Sequence, residues 1–489
     1  MRFSFSPNFA LFASEHTCEI QLALLAGASL LIYALAFALP YNLFEYWNQP
    51  QLTIAKIAHG DWRVGAAYVV AFVALFAAYL LAARLVRQHQ HQSMWRIVIV
   101  GALAFNVAML FLYPVDSADV FDNIIRGRMT ALYGANPFYD TPSQFSSDPF
   151  HTYNAWDYYP SAYGALWETF AATTAQVAGN SIIANVLVFK LVSIIAYAAT
   201  AGVTALTLQR IAPERALLGV TLFAWNPLAI YVTAGTGHND AVMMFFVALS
   251  FLFLARKNFT LAALAQMLGA LVKFIPMLLV PIMLLAGINH QRDWKSRARF
   301  IAITALACGT IVILAYAPYF RGGDILGTKW RSNNFTTSLP TLAQVSLIPS
   351  LGKDAANELV SRATLILLSI WIARELWDNR RSQEIGAFVR ASLSILIFYL
   401  LVTCLWVQTW YAIWLVPLAA LISDGALVLG THIIAFALAM KMPIFDFAMG
   451  VTPEYLPRET REWEITPSTL GPSWIYFVGM WLKTKVRVK

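Results

Sequence analysis

Residues 64–83 read VGAAYVVAFVALFAAYLLAA, twenty positions without a charged side chain. An α-helix rises about 1.5 Å per residue, so about twenty apolar residues cross the hydrocarbon core of a bilayer, which is about 30 Å thick. Six other runs have a similar length and character, and they cover residues 20–39, 97–113, 182–206, 216–232, 301–319 and 393–407. We therefore predict a polytopic membrane protein of the all-α class.

The composition of the whole chain agrees with a membrane location. Charged residues make up 12% of the 489 positions, whereas a soluble domain carries about 25%. Hydrophobic residues make up 59%, which is more apolar surface than a soluble monomer tolerates. This composition excludes a soluble enzyme, a disordered chain and a nucleic-acid binder. The net charge of +8 is expected to reside in loops on one face of the membrane.

The cysteines and the N-terminal segment carry no signal for a disulfide framework or a cleaved leader. Cys18, Cys308 and Cys404 lie in or beside apolar runs, and their spacing fits neither disulfides nor a metal site, so we expect them to pack in the core. The N-terminal segment lacks a charged region that leads into a short apolar run with a cleavage site. We therefore expect the run 20–39 to be retained as a membrane anchor.

Shorter or interrupted apolar runs bring the predicted number of transmembrane helices to about fourteen. Pro276 and Pro281 leave open whether their region forms one broken element or two crossings. The shorter runs cover residues 241–254, 261–272, 275–286, 359–373, 411–422, 426–439 and 474–482.

The distribution of Lys and Arg predicts which loops are cytoplasmic, because short cytoplasmic loops are enriched in these residues. Alternate loops carry them densely, which places both termini inside; these are residues 84–96, 210–215, 256–257, 292–299, 374–381 and 483–489. The intervening loops are predicted to face outward, and their length indicates a folded functional surface within one membrane domain of residues 1–489. They are residues 40–63, 114–180, 235–240, 321–358 and 443–473.

The strongest local signal is the acidic segment PVDSADVFDNIIRGR, residues 114–128. In a helix, Asp119, Asp122 and Arg126 would share roughly one face, with Asp116 one turn earlier. One interpretation is an ion pair between Asp122 and Arg126, with the other carboxylates solvating the helix end. The functional hypothesis is that one carboxylate, shielded by the bilayer rim, acts as a general base with a raised pKa.

Aromatic residues mixed with Gly, Pro and acids follow in the same loop. They form the segments YGANPFY, residues 133–139, and DYYPSAYGALWE, residues 157–168. Tyr and Trp prefer the headgroup level of a membrane and also stack against sugar rings, so both interpretations remain open.

The outer turn GTGHND, residues 235–240, combines two glycines with three polar side chains. The glycines let the backbone turn tightly and approach a ligand, and the polar side chains could bind sugar hydroxyls or a phosphate. Alternatively, Asn239 or Asp240 is the N-cap of the next helix.

Two lysines interrupt apolar runs. Lys273, close to the helix-breaking Pro276, could either extend to the headgroups or hold an anionic lipid phosphate. Lys190 has no obvious partner in the sequence and is expected to be structural. The polar aromatic segment QTWYAIWLVP, residues 408–417, returns the chain to the outer rim.

The order of these elements resembles that of the GT-C class of integral membrane glycosyltransferases, and is most similar to bacterial polyprenol-phosphate-mannose-dependent mannosyltransferases. The resemblance covers residues 114–417. It is carried by the acidic loop, the YGANPFY segment, Tyr163-Gly164, Asn226-Pro227 with residues 237–240, Lys273 with Pro276, and residues 410–417. The segment SAYGA, residues 161–165, lacks a second Pro near the Tyr-Gly pair, so the subfamily stays open.

This resemblance implies a GT-C-like bundle with large extracytoplasmic loops and a lipid-linked sugar donor, such as polyprenyl phosphate mannose. It also implies an inverting displacement, in which a carboxylate of the first outer loop removes the acceptor hydroxyl proton while that oxygen attacks the anomeric carbon. The phosphate then leaves attached to its lipid. A positioned base and fixed cations would each accelerate such a step.

We assign Asp119 as the general base, with Asp116 as second choice or orienting partner. The donor phosphate is assigned to Lys273 and His238, with Arg126, Arg128, Lys329 and Arg331 as weaker candidates. Sugar or acceptor contacts are assigned to Asn136, Tyr163, Asn239, Asp240, Gln408, Trp410 and Tyr411.

No metal or other cofactor is predicted. Asp116, Asp119, His238 and Asp240 could in principle form an oxygen-rich divalent site, but they lie far apart in the sequence. The expected partners are a polyprenyl-phosphate sugar donor, a glycan or glycolipid acceptor and membrane lipids, with no nucleic acid. The expected location is the plasma or inner membrane, with the active site on the extracytoplasmic face.

Two other function classes stay open. A secondary transporter or lipid flippase would use broken helices such as the region around Lys273, Pro276 and Pro281. A glycan polymerase or ligase would use a lipid-diphosphate donor at the same outer surface.

Overall fold

The computed structural model describes residues 7–89, 91–323, 325, 334–448 and 458–487. Within those ranges every regular element is helical, apart from two isolated β-bridges, so the predicted all-α class is confirmed. The α-helices are α1 (Pro7–Ile32), α2 (Leu43–Tyr46), α3 (Ile54–Ile57), α4 (Trp62–Gln88), α5 (Gln92–Leu110), α6 (Asp119–Tyr133), α7 (Ala165–Ala178), α8 (Ile182–Ile211), α9 (Ala216–Ala224), α10 (Pro227–Ile230), α11 (Asp240–Ala255), α12 (Phe259–Val272), α13 (Val280–Asn289), α14 (Trp294–Tyr316), α15 (Leu339–Leu351), α16 (Lys353–Asp378), α17 (Ile385–Phe398), α18 (Val416–Leu421), α19 (Gly425–Ala439), α20 (Lys441–Pro443) and α21 (Arg458–Arg487).

Seven helical segments of the described chain are long and apolar enough to cross a membrane. Six of them contain or overlap the long apolar runs predicted from the sequence, and the seventh contains the shorter run 426–439. They are His16–Ala38, Trp62–Gln88, Gln92–Leu110, Ile182–Ile211, Trp294–Tyr319, Ile385–Thr403 and Gly425–Phe447.

The remaining long run, 216–232, is a bent pair of helices. Pro213–Ala224 and Pro227–Gly235 meet at an angle of 54°. Pro227 has no backbone N–H to continue the first helix, and the side chain of Asn226 accepts from the backbone N–H of Ala229 to begin the second. Counted as one span, the pair raises the number of candidate spans in the described chain to eight.

The predicted count of about fourteen transmembrane helices is therefore not confirmed. Four of the shorter predicted crossings coincide with apolar helices of 10–17 residues, namely Asp240–Ala255, Phe259–Val272, Ile275–Asn289 and Thr409–Leu421. A helix of 14 residues, such as α12, is about 21 Å long and is shorter than the hydrocarbon core. The runs 359–373 and 474–482 lie within α16 and α21.

The loops assemble at two ends of the bundle. At one end, Asn289 Nδ2 donates to the carbonyls of Asn379 (3.0 Å) and Ser382 (2.7 Å), and Arg390 pairs with Asp424 at 3.8 Å. This end gathers loops that were predicted to be cytoplasmic.

At the other end, Tyr113 Oη donates to Gln49 O at 2.7 Å, and Asn136 Nδ2 donates to Tyr319 O at 2.5 Å. The backbone N–H of Thr336 donates to Leu405 O at 3.1 Å. These contacts join predicted outer loops to the ends of predicted spans, and Arg321 pairs with Asp140 at 3.4 Å, so two loops predicted to face outward also meet one another.

Lys190 has a structural role, as expected. Its side chain is buried within α8, and Nζ donates to the carbonyls of Met109 (3.2 Å), Leu110 (2.7 Å) and Leu112 (2.5 Å). The last carbonyls of a helix lack intrahelical partners. Lys190 satisfies those at the end of α5 and so fixes the point from which the acidic segment begins.

Two glycines allow close approach around the acidic segment. A Cβ at Gly127 of α6 would overlap the carbonyl oxygen of Ala171 in α7. A Cβ at Gly164 would overlap the carbonyl oxygen of Leu271, and the Gly164 N–H donates to Val272 O at 2.9 Å. The second contact sets Tyr163 against the end of α12, next to Lys273.

The contact at Gly127 predicts that Gly127→Ala destabilises the protein, because the added methyl group forces α6 away from α7. We expect the free energy of unfolding to fall by about 1–3 kcal/mol, measured by thermal unfolding in detergent. Gly202→Ala is the matched control, since Gly202 also lies inside a helix and a Cβ there meets nothing within 4 Å. Equal effects of the two substitutions would contradict the packing argument.

Candidate active site

A cavity of about 560 Å³ opens at the end of the bundle where the predicted outer loops meet. Its wall combines the start of α6, the loop before α7, the segment after α12, one side of α16 and the chain after α17. The polar and aromatic lining residues include Asp119, Asp122, Arg126, Trp156, Tyr159, Tyr163, Lys273, Arg362, Trp406, Gln408, Trp410, Tyr411 and Trp414. The cavity therefore brings together residues that are up to about 300 positions apart in the chain.

Asp119 is the first residue of α6, and its carboxylate faces the cavity with 13% of the side chain exposed. Trp156 Nε1 donates to Oδ1 at 3.2 Å, and Tyr163 Oη donates to Oδ2 at 3.3 Å. Burial raises the pKa of Asp119 to about 6, although the positive charge of Lys273 lowers it. A carboxylate with such a pKa is ionised at neutral pH and is a stronger base than an exposed one.

Asp116 does not line this cavity. It precedes α6, so the sequence-based expectation that it occupies the preceding helical turn is wrong; the helix begins at Asp119. Its Oδ2 accepts from Tyr68 Oη at 3.4 Å, and burial raises its pKa to about 7. This position, behind the cavity wall, suits an orienting role better than contact with substrate.

Asp122 and Arg126 form the expected i,i+4 ion pair, at 2.8 Å between Oδ1 and Nη2. Arg126 is 1% exposed, and its Nη2 also donates to Tyr159 O at 3.0 Å. The remaining Nη1 is buried without a hydrogen-bond partner among the described residues. The expected ion pair between Asp122 and Arg126 is therefore present, whereas Asp119 is mostly buried and does not simply solvate the helix end.

Lys273 is held in the cavity by Asp240. Nζ lies 2.9 Å from both carboxylate oxygens of Asp240, which is completely buried as the first residue of α11. Trp414 Nε1 donates to Asp240 Oδ1 at 2.5 Å. Lys273 Nζ also lies 5.3 Å from the ring centre of Tyr411 and 5.8 Å from that of Tyr163. With 14% of its side chain exposed, Lys273 remains accessible to an anion.

An aromatic wall extends the site beyond Lys273. His238 stacks on Trp410 with ring centres 3.9 Å apart, and Tyr411 stacks on Trp414 at 3.8 Å. His238 Nδ1 lies 3.8 Å from Asp119 Oδ2. Burial and the charge of Lys273 hold the pKa of His238 well below its usual range, so the imidazole is neutral at physiological pH.

Gln408 also lines the cavity. Its Oε1 accepts from Lys441 Nζ at 3.0 Å, and the same lysine donates to Val407 O at 2.5 Å. The contact with Lys441 uses the amide oxygen of Gln408 and leaves its amide N–H groups as the donors for other partners.

Six residues assigned from the sequence do not line the cavity: Asp116, His238 and Asp240, which lie behind its wall, and Arg128, Asn136 and Asn239. Arg128 is buried against Asp148, with Nε 3.0 Å from both carboxylate oxygens, and covers the Phe150 ring at 4.2 Å. Asn136 bonds to Tyr319 O and, through its backbone N–H, to Asp140 at 2.7 Å. Asn239 is the N-cap residue of α11 and is buried. Arg128 and Asn136 anchor the loop, whereas the weaker candidates Lys329 and Arg331 lie outside the described residues.

Several cavity residues were not identified from the sequence. Trp156 and Trp406 have ring centres 5.3 Å apart at the rim. Arg362 lines the cavity from α16, where it pairs with Glu358 and remains 74% exposed. Its position in a moderately apolar run gave no indication of function, because only the fold places that helix at the cavity that Asp119 lines.

No group of three or more His, Cys, Asp or Glu side chains with metal-binding geometry occurs among the residues that the structure describes. His238 is 3.8 Å from Asp119, but Asp240 is engaged by Lys273 and Asp116 lies elsewhere. These four residues therefore do not converge into the divalent site considered from the sequence.

The chain was compared with models of known protein families. The model of the family described as alpha-(1->6)-mannopyranosyltransferase, N-terminal domain, matches residues 22–289, more than half of the chain. The matched part includes Asp119, Asp240 and Lys273, while the segment 403–414 and α16 lie beyond it. Searches of curated proteins and of solved structures returned no match.

The Lys273–Asp240 pair predicts a strong energetic coupling between the two side chains. Lys273→Met leaves a buried carboxylate without a countercharge and should cost about 3–5 kcal/mol of stability. The double variant Lys273→Met/Asp240→Asn should lose less free energy of unfolding than the two single variants lose together, by at least about 1 kcal/mol. Chemical unfolding in detergent measures these losses. Arg374→Met/Asp378→Asn is the control cycle, because that 3.6 Å pair is more than half exposed. Additive losses in the first cycle would contradict the coupling.

Proposed function

Because the chain belongs to the alpha-(1->6)-mannopyranosyltransferase family, we propose that it transfers mannose from a polyprenyl-phosphate donor to a glycan or glycolipid acceptor. Membership of this family makes the protein an enzyme that acts on mannose. The proposal adds the donor class, the membrane face and the catalytic residues. A transporter or flippase has no support once the family is known.

The observation that carries the proposal is the presence of Asp119 and Lys273 in one cavity. A sugar phosphate needs a base on the acceptor side of the anomeric carbon and a cation on the phosphate side. Among the residues that the structure describes, no charged cation lies at ion-pair distance from Asp119, because the His238 imidazole at 3.8 Å is neutral. Lys273 is accessible from the same space.

In the proposed reaction, the acceptor hydroxyl loses its proton to Asp119 as its oxygen attacks the anomeric carbon of mannose. The bond between that carbon and the phosphate oxygen breaks, and the electron pair remains on the phosphate. Lys273 and the free Nη1 of Arg126 stabilise the charge that develops there. The stereochemistry at the anomeric carbon inverts, and polyprenyl phosphate is the second product.

The aromatic wall suits the sugar ring. Trp410 lines the cavity, and its Nε1 is buried without a hydrogen-bond partner in the described part of the chain. Together with the amide nitrogen of Gln408, it can donate to sugar hydroxyls. Tyr163 and Tyr411 offer ring faces on either side of Lys273.

The lipid portion of the donor has an apolar route into the cavity along α16. Leu365 and Leu368 line the cavity, and Leu365 is 65% exposed on the outside of the bundle. The cavity lies at the bundle end opposite the Arg-rich loops, so we assign it to the extracytoplasmic face of the plasma or inner membrane. Nucleotide sugars are absent there, which favours a lipid-linked donor.

The first prediction from this proposal concerns the base. Asp119→Asn should lower kcat by about 100- to 10,000-fold, the range that general-base catalysis supplies, in assays with radiolabelled polyprenyl phosphate mannose and a mannoside acceptor. Asp116→Asn alters a carboxylate outside the cavity, so its kcat should fall much less than that of Asp119→Asn. Undiminished transfer by Asp119→Asn, or a greater loss in Asp116→Asn, would remove Asp119 from the base role.

The second prediction concerns pH. A general base acts only when it is ionised, so kcat/KM should fall as the pH drops below about 6, the pKa of Asp119. Trp156→Phe removes a hydrogen bond that lowers this pKa. The acidic limb of the plot of kcat/KM against pH should therefore move to higher pH. A limb that stays in place or moves to lower pH would show that another group controls it.

A further inference from the structure

A second pocket lies at the opposite end of the bundle from the catalytic cavity. We name it the α12–α14 pocket, because it is formed by the turn between α11 and α12 and the turn between α13 and α14. Its volume is about 760 Å³. The helix α12 begins in this pocket and ends at Val272, the residue before Lys273, so the two sites are separated by about 21 Å of helix.

The α12–α14 pocket is basic. Lys257, Lys295 and Arg299 line it, their side chains are exposed, and no ion pair to any of them is present in the described part of the chain. The single acidic lining residue, Asp293, is engaged by Ser296, whose backbone N–H and Oγ donate to its carboxylate at 2.8 Å. An anion in the pocket would therefore meet three available cations and one occupied carboxylate.

The apolar part of the pocket indicates where it lies in a membrane. Leu261 and Ile303 line it one turn deeper than the cations, and they are 45% and 46% exposed. Trp294, at the start of the candidate span Trp294–Tyr319, is 73% exposed. Exposed tryptophans at span ends lie at the headgroup level, which places the cations beside headgroups and the two aliphatic residues beside acyl chains.

We propose that the α12–α14 pocket binds the phosphodiester headgroup of an anionic membrane phospholipid. Lys257, Lys295 and Arg299 contact the phosphate, while Leu261 and Ile303 contact the first part of an acyl chain. A free phosphate ion would use the cations alone and leave the exposed aliphatic surface uncovered. The combination of both surfaces at headgroup depth favours the lipid as the source of the phosphate.

The test compares ligands on the full-length protein in detergent. We expect phosphatidylglycerol to remain bound in native mass spectrometry and to raise the melting temperature, whereas phosphatidylcholine and inorganic phosphate do neither. Lys257→Gln/Arg299→Gln should weaken phosphatidylglycerol binding by roughly 30-fold, since each cation near a membrane surface contributes about fivefold.

Two further variants make the result specific. Lys257→Arg/Arg299→Lys preserves the charge and should retain the lipid, which separates lost binding from misfolding. Arg380→Gln/Arg381→Gln removes two positive charges from another loop at the same end and should also retain it. Equal loss in that control, equal binding of phosphatidylcholine, or displacement of the lipid by millimolar inorganic phosphate would overturn the proposal.

Discussion

The ion pair between Lys273 and Asp240 is the constraint on which the candidate active site depends. A charge in the low-dielectric interior of a membrane protein is costly unless a countercharge and hydrogen bonds accompany it. Asp240 supplies the countercharge from the start of α11, and Trp414 completes its hydrogen bonding. The pair thereby joins the end of α12, the start of α11 and the chain after α17 around one cavity.

The neighbouring contacts orient the acceptor side of the cavity relative to this pair. Gly164 lets its loop bond to Val272, the residue before Lys273, and this contact positions Tyr163 against Asp119. The positive charge of Lys273 then partly offsets the effect of burial on the Asp119 carboxylate. Lys273 thus has two proposed tasks, which are to hold a departing phosphate and to keep the base ionised at neutral pH.

The sequence was sufficient where local rules decide the outcome. Apolar runs of about twenty residues identified most spans, and the i,i+4 spacing identified the Asp122–Arg126 pair. Sequence analysis failed where contacts between distant parts of the chain decide what a residue does. Arg128 and Asn136 resemble ligand-binding residues in a linear motif, yet Asp148 and Tyr319 occupy them. Arg362 carries no motif, and only the packing of α16 brings it to the cavity. The short apolar runs stay unconfirmed as spans, since four of them form helices of only 10–17 residues.

In the proposed complex, one cavity holds a mannosyl phosphate between Asp119 and Lys273. The most direct test is a cryo-electron microscopy structure with a non-transferable polyprenyl-phosphate mannose analogue. We expect a phosphate oxygen within hydrogen-bond distance, about 2.7–3.2 Å, of Lys273 Nζ, with the anomeric carbon facing Asp119. A phosphate bound outside this cavity, or a mannose whose anomeric carbon faces away from Asp119, would contradict the proposal.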